Sequence, residues 1–343
     1  MIKIKLVEFE THRNETTFRP FVMAKNVLRD CGFELTRSDD YDYAWVAQAS
    51  IIDKKKSLRE SIDNGLEFLS KLGGDYMIVD GQDATSLIGT IDVFRESNAL
   101  LFLKNSYLKD FDLYKKGWLN GRMYWGEGEY SVPDIDELKP KMKLTGCNWL
   151  GTWTPTWYRY DSNKEYDISC MFSWGEKAIP EHNINTNIQY DDHRRILLEK
   201  LEKTDYNIVR RESGVRIPEH QFYQNMRNSK IIMAPIGYGE MAVRDIQAAE
   251  FGSVLIKPDM DYIYSKPFVY EDGETYISCK YDWSDVEEKI DYVLSNYKEL
   301  QPYLVENMRK QFKKQYSHEN LALHLYDTFK ELPSISVENI EQS

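Results

Sequence analysis

Cysteine is scarce in this chain: Cys31, Cys147, Cys170 and Cys279 lie far apart among 343 residues, and no two form a Cys-x-x-Cys pair. A zinc knuckle and a redox dithiol are thereby excluded, and the thiols are expected to be reduced and mostly buried, as in a cytoplasmic protein. No run approaches the ~18 apolar residues that cross a bilayer. The start, Met1-Ile-Lys-Ile-Lys-Leu-Val-Glu-Phe, alternates polar and apolar residues instead of carrying a signal-peptide core. It reads as a first strand of a soluble protein with no transmembrane segment. Positive charge is also in deficit, with 44 Lys+Arg against 56 Asp+Glu and a net charge of −12. A chain that tracks phosphates along a polynucleotide has the opposite balance, so nucleic acid is not an expected partner. Internal repeats and low-complexity tracts are missing too, and the final residues, 331–343, read as a frayed tail.

What is present suffices for two cores. Hydrophobic residues make up 42% of the chain and charged residues 29%, over a length that suits two domains of ordinary size. An aromatic share of 13% offers flat faces to rings such as sugars or bases. Strand-like and helix-like patterns alternate through the first ~145 residues, the signature of βαβ units around a parallel sheet. Strands are expected at 2–9, Tyr43-Ala-Trp-Val-Ala, Asp75-Tyr-Met-Ile-Val-Asp80 and Ala99-Leu-Leu-Phe-Leu-Lys, with helices over 18–31 and 54–72. The alternation lapses in Asn148-Trp-Leu-Gly-Thr-Trp-Thr-Pro-Thr-Trp-Tyr-Arg-Tyr and resumes at Tyr166-Asp-Ile-Ser-Cys-Met-Phe. The expected organisation is an α/β chain of two Rossmann-like domains facing each other across a cleft. The first covers 1–150, a linker 151–165, the second 166–302, and C-terminal helices at 303–330 pack back on the first. Ligands of such sheets bind at the carboxyl ends of the strands.

The most informative stretch runs from Ser229 to Pro258. An apolar strand, Lys230-Ile-Ile-Met-Ala-Pro, ends in Ile236-Gly-Tyr-Gly-Glu, and a helix begins near Met241. Gly237, Tyr238, Gly239 and Glu240 thus form a turn that brings free backbone amides to a helix N-terminus, where anions bind. Arg244 falls in the first helical turn, where a cation opposes the helix dipole unless an anion offsets it. Gln247 follows on the same face and can hydrogen-bond ribose hydroxyls.

The order strand, Pro-x-Gly-x-Gly, Arg-x-x-x-Ala, Phe-Gly-x-Val-Leu-Ile-x-Pro resembles the donor-binding domain of GT-B glycosyltransferases, especially the exostosin-like group. That group carries Arg-x-x-Glu-Ala followed by a Gly-x-x-Pro-Val-Ile strand. Arg244 and Ala248 match, whereas Gln247 stands at the acidic position and Val254 follows Ser253 rather than a proline. The glutamine retains hydrogen bonding to ribose but loses its charge assistance. The resemblance spans roughly 166–330. It implies that Arg210 and Arg211, at a strand end, meet nucleobase and phosphates, and that His193-Arg194-Arg195 opens a helix with a phosphate-contacting arginine; paired arginines on a helix are otherwise surface charges.

By this resemblance the chain is a Leloir-type transferase that moves a sugar from a UDP- or GDP-linked donor to a hydroxyl of a glycan or glycoconjugate, in glycan biosynthesis. Arginine and the helix N-terminus replace a metal at the leaving diphosphate, so no cofactor or metal is expected. The first domain would supply a general base. Asp80 leads the candidates and His12 follows; Asp83 reads better as a helix cap. Asp-x-Asp triplets at Asp40, Asp134 and Asp259 are chance matches in a chain with 56 acidic residues. Two other readings remain open. Gly237-x-Gly-x-x-Ala242 with Asp259 some 20 residues on fits the fingerprint of an NAD-type oxidoreductase, and a nucleotide-sugar or glycan-binding protein without catalysis fits the same cleft.

Overall fold

The computed structural model describes residues 1–8, 17–53, 55–82, 84–116, 130–160, 162–174, 187–237 and 239–330. Short apolar runs become buried parallel strands. In the first half these are β1 (Ile2–Val7), β2 (Phe33–Thr36), β3 (Tyr43–Ala47), β4 (Asp75–Asp80), β5 (Phe102–Lys104) and β7 (Met142–Leu144), in the spatial order 2-1-3-4-5-7. Every neighbouring pair in this sheet is parallel. Tyr43–Ala47 is buried along its whole length, as a central strand covered by helices on both faces must be. The second half repeats the scheme with β8 (Tyr166–Cys170), β9 (Ile208–Arg210), β10 (Ser229–Met233), β11 (Val254–Pro258) and β13 (Ile277–Cys279), in the order 13-11-10-8-9, again all parallel. The fold is therefore α/β with two Rossmann-like sheets.

Two further strands join the halves. β6 (Ser106–Leu108) and β12 (Ile263–Ser265) pair antiparallel, with Tyr264 opposite Tyr107. Ser265 Oγ donates to the Asn105 carbonyl at 3.0 Å, and the Lys109 amide donates to Tyr262 O at 2.9 Å. The sequence expectation contained neither strand.

The stretch read as a linker lies along the second half. Trp153 Nε1 and the Thr156 amide donate to the two carboxylate oxygens of Glu250, at 3.2 and 2.7 Å. The C-terminal stretch forms two helices. The helix Tyr297–Gln315 buries Met308 and Phe312 in the second half, where Arg309 donates to the carbonyls of Ala249 and Tyr158. The helix His318–Phe329 starts at Ser317, whose Oγ accepts the Asn320 amide at 3.1 Å. This second helix alone crosses back: Leu321, Ala322, Leu325 and Phe329 complete the core around Phe33, Tyr43 and Trp45. Phe329 sits with its ring centroid 5.2 Å from that of Phe33 and 5.7 Å from that of Tyr43.

Candidate functional site

In the second sheet the chain runs from β8 outward to β9 and then returns past β8 to β10, β11 and β13. The point where the winding reverses lies between β8 and β10, and the crevice outside their carboxyl ends is where such a sheet takes a ligand. Three arginines from three different elements converge on it. Arg244, in the first turn of the helix Val243–Glu250, donates from Nη2 to the carbonyl of Met171, just past β8, at 3.1 Å. Arg194, from the helix Asn187–Leu201, donates from Nη1 to the Ser173 carbonyl at 2.5 Å. Arg211, just past β9, donates from Nη1 to Ser173 Oγ and from Nε to the Val215 carbonyl.

The residues that follow β8 organise this group. Phe172 is buried, and its ring centroid lies 5.9 Å from the Arg194 guanidinium carbon and 5.8 Å from that of Arg244, so one aromatic ring attracts both cations. Trp174 Nε1 donates to the Arg211 carbonyl at 2.8 Å and fixes the strand end. At Gly237 a Cβ would sit 2.9 Å from Arg194 Nη2, so that guanidinium lies against the turn after β10. Burial first, and the neighbouring Arg194 second, push Arg244 down to about 10. Its Nε is buried without a hydrogen-bond partner among the described residues. An opposite charge placed among these groups would favour their charged forms.

Asp245 supports the helix start. Its Oδ2 accepts the Ala242 amide at 3.0 Å and the Tyr270 hydroxyl at 2.6 Å, and it lies 3.2 Å from Lys257 Nζ, both side chains being fully buried. Gln247, on the same helix, is buried and makes no side-chain hydrogen bond among the described residues. Gly239 is buried, and its carbonyl accepts the Gly237 amide at 3.2 Å, which commits that amide to the turn. Glu240 points elsewhere. Its carboxylate is buried and accepts the hydroxyl of Thr85, from the first half, at 3.0 Å, while Tyr114 donates to the Thr85 carbonyl at 2.8 Å.

The other expected site residues divide. Arg211 joins the cluster, whereas Arg210 turns to the surface and pairs with Glu202 and, at 3.6 Å, with Glu212. Arg195 pairs with Glu199 on the outer face of its helix. Asp80, expected as a cleft-facing base, is enclosed: its carboxylate has no exposure, its Oδ1 accepts the Gln82 amide at 2.9 Å, and its Oδ2 lies 3.2 Å from the buried Lys104 Nζ. His12, Asp83 and Tyr238 lie outside the described residues. Phe172 and Ser173 lie in Tyr166-Asp-Ile-Ser-Cys-Met-Phe-Ser-Trp-Gly, which resembles the opening strand and glycine turn of the donor-binding domain, but neither side chain was given a role. No group of three or more His, Cys, Asp or Glu side chains that could hold a metal occurs among the described residues.

No protein-family model matches the chain, and no curated relative matches it. Solved structures do. Sucrose-phosphate synthase from Thermosynechococcus elongatus superposes with a TM-score of 0.52 at 11% identity, over 98% of this chain and all of that one. A glycosyltransferase from Rickettsia africae gives 0.45 at 12% identity, covering 98% of this chain and 99% of that one. HepE of Anabaena in complex with UDP gives 0.44 at 11% identity, covering 97% of this chain and 100% of that one. At such identities the likeness is one of fold: the two Rossmann-like domains have the arrangement called GT-B. No helix among the described residues is long and apolar enough to cross a membrane.

Proposed function

We propose that the chain is a metal-independent glycosyltransferase that moves a sugar from a UDP- or GDP-linked donor to a hydroxyl of a glycan or glycoconjugate, with an exostosin-like donor half. The observation that carries this reading is the group Arg194, Arg211 and Arg244 at the reversal point of the second sheet, two of them stacked about one phenylalanine. A diphosphate supplies the charge that such a group needs and gains further charge as the sugar departs. Donors fixed in place before reaction therefore favour the transition state over the ground state. Gln247 faces the ribose in this reading, and the backbone after β10 lies along the diphosphate. The first half receives the acceptor. Its base is assigned to His12, which follows β1 in the chain, because the Asp80 carboxylate already neutralises Lys104. The first sheet reverses its winding between β1 and β3, and a sheet of this kind takes its ligand at such a reversal.

Release of nucleoside diphosphate from UDP- and GDP-linked sugars tests the proposal. Turnover is expected with or without EDTA. Arg244→Ala is expected to lower kcat/KM by about 10²–10³ while the melting temperature holds, as on removal of one preorganised donor. Near-normal turnover in that variant removes the reading. UDP or GDP binding without any turnover would leave a binding protein in its place.

A further inference from the structure

A second concavity, of about 540 Å³, is lined in part by the joining ribbon and shares no residue with the arginine cluster. It is framed by Tyr107 and Tyr264 of the ribbon, by the edge strand β7, and by the helix His318–Phe329. Its chemistry is distinctive for a chain of net charge −12. Four lysines line it, at 109, 139, 143 and 266, against one carboxylate, Asp327, which Lys330 neutralises. Lys109 is matched by Asp261. Lys139 and Lys266 make no direct ion pair among the described residues: Lys266 acts on Asp327 and Lys139 on Asp112 only through space, and Lys139 Nζ sits 4.4 Å from the Phe111 ring centroid.

We propose that this groove binds an acidic oligosaccharide. Lysine is a compact, strongly hydrated point charge that meets single anionic groups spaced along a chain, without the bidentate geometry that arginine brings to carboxylate and phosphate alike. The groove is lined by lysine without arginine. The aromatic faces fit the same ligand. Tyr264 is 55% exposed and offers its ring to a pyranose, and across the ribbon the buried Tyr107, whose hydroxyl donates to the carbonyls of Phe102 and Lys143, holds the strand behind it. The volume lies within the usual range of ligand sites, roughly 300–1,000 Å³.

The inference stands apart from the transferase reading, because its test reads binding and not turnover. The full chain is titrated calorimetrically with hexameric α-1,4-galacturonate and with neutral maltohexaose, in low salt and in 0.5 M salt. The acidic hexamer is expected to bind, to weaken in high salt, and to outbind the neutral hexamer by at least tenfold. Lys139→Glu combined with Lys266→Glu is expected to abolish that preference while the melting temperature and UDP binding persist. Tyr264→Ala, at an exposed position that keeps the core intact, is expected to weaken both hexamers severalfold. Equal binding of the two hexamers, no binding of the acidic one, affinity for inorganic phosphate or an RNA hexamer in its place, or undiminished binding in either variant would each overturn the proposal.

Discussion

Asp80 shows how a single residue can satisfy every local criterion for chemistry and still serve the fold. It ends a buried strand at the ligand-facing edge of a sheet, and nothing in its neighbourhood of sequence reveals that Lys104, at the end of the next strand, β5, closes over it. Lys257 and Asp245 make the corresponding pair in the second half. Removing one partner of such a pair leaves an uncompensated buried charge, at a cost of about 3–5 kcal/mol. Asp80→Asn should therefore lower the denaturation midpoint strongly; a fully stable variant that has lost turnover would return Asp80 to the chemistry. Arg244, by contrast, was legible, because a cation in a first helical turn is anomalous whatever surrounds it. His324 makes a residue-scale prediction in pH. Burial above all, with Lys266 beside it, holds its ring below the usual value of 6.5, while its Nε2 donates to the Leu144 carbonyl at 2.8 Å and Asp327 pulls the other way. The unfolded chain thus takes up the proton first, so this contribution to stability is complete above pH about 6.5 and is lost as pH falls below it. Melting curves of the native chain and of His324→Asn between pH 5 and 8 should differ in slope only at the acidic end.

Among elements, strands that lie in an apolar run were readable, three-residue β5 included, and the three-residue strands outside one were not. Tyr43–Ala47, Asp75–Asp80, Ser229–Met233 and Val254–Pro258 each carry enough consecutive apolar residues to declare a central strand. The strands β6, β7 and β12 have three residues each, too few to display a period, and exist because distant backbone groups meet them. The break between the last two helices was within reach, since Ser317 is a good N-cap residue. It was passed over because the helical pattern continues on both sides of it. Ser317→Ala should cost about 1 kcal/mol, whereas Phe329→Ala, at the buried end of the same helix, should cost about 3–5 kcal/mol. Chemical denaturation distinguishes the two, and equal effects would mean that the helix is held by its start and not by its packing.

For the molecule as a whole, three separate devices bind the halves: the ribbon, the returning helix, and the buried contact of Glu240 with Thr85. Calorimetry should show one unfolding transition, displaced upward by UDP or GDP; at about 100 times the dissociation constant the shift corresponds to roughly 2.7 kcal/mol. Two well separated transitions would mean that the halves fold independently. The two-sheet plan was legible because alternation of strand and helix reports layer architecture, but the joints between the halves were not, since each pairs residues from opposite ends of the chain. The ribbon has a consequence for the order of events at the ribosome. Ser265 and Asn105, which it brings together, are 160 residues apart in the chain. At the usual pace of about 5–20 residues per second, the nascent first half waits on the order of 10–30 s with the edge of β6 bare before its partner strand is made. During that interval the backbone of Ser106–Leu108 is an open template for any other extended chain nearby, so the newborn protein has its greatest need of a chaperone when it is little more than half synthesised.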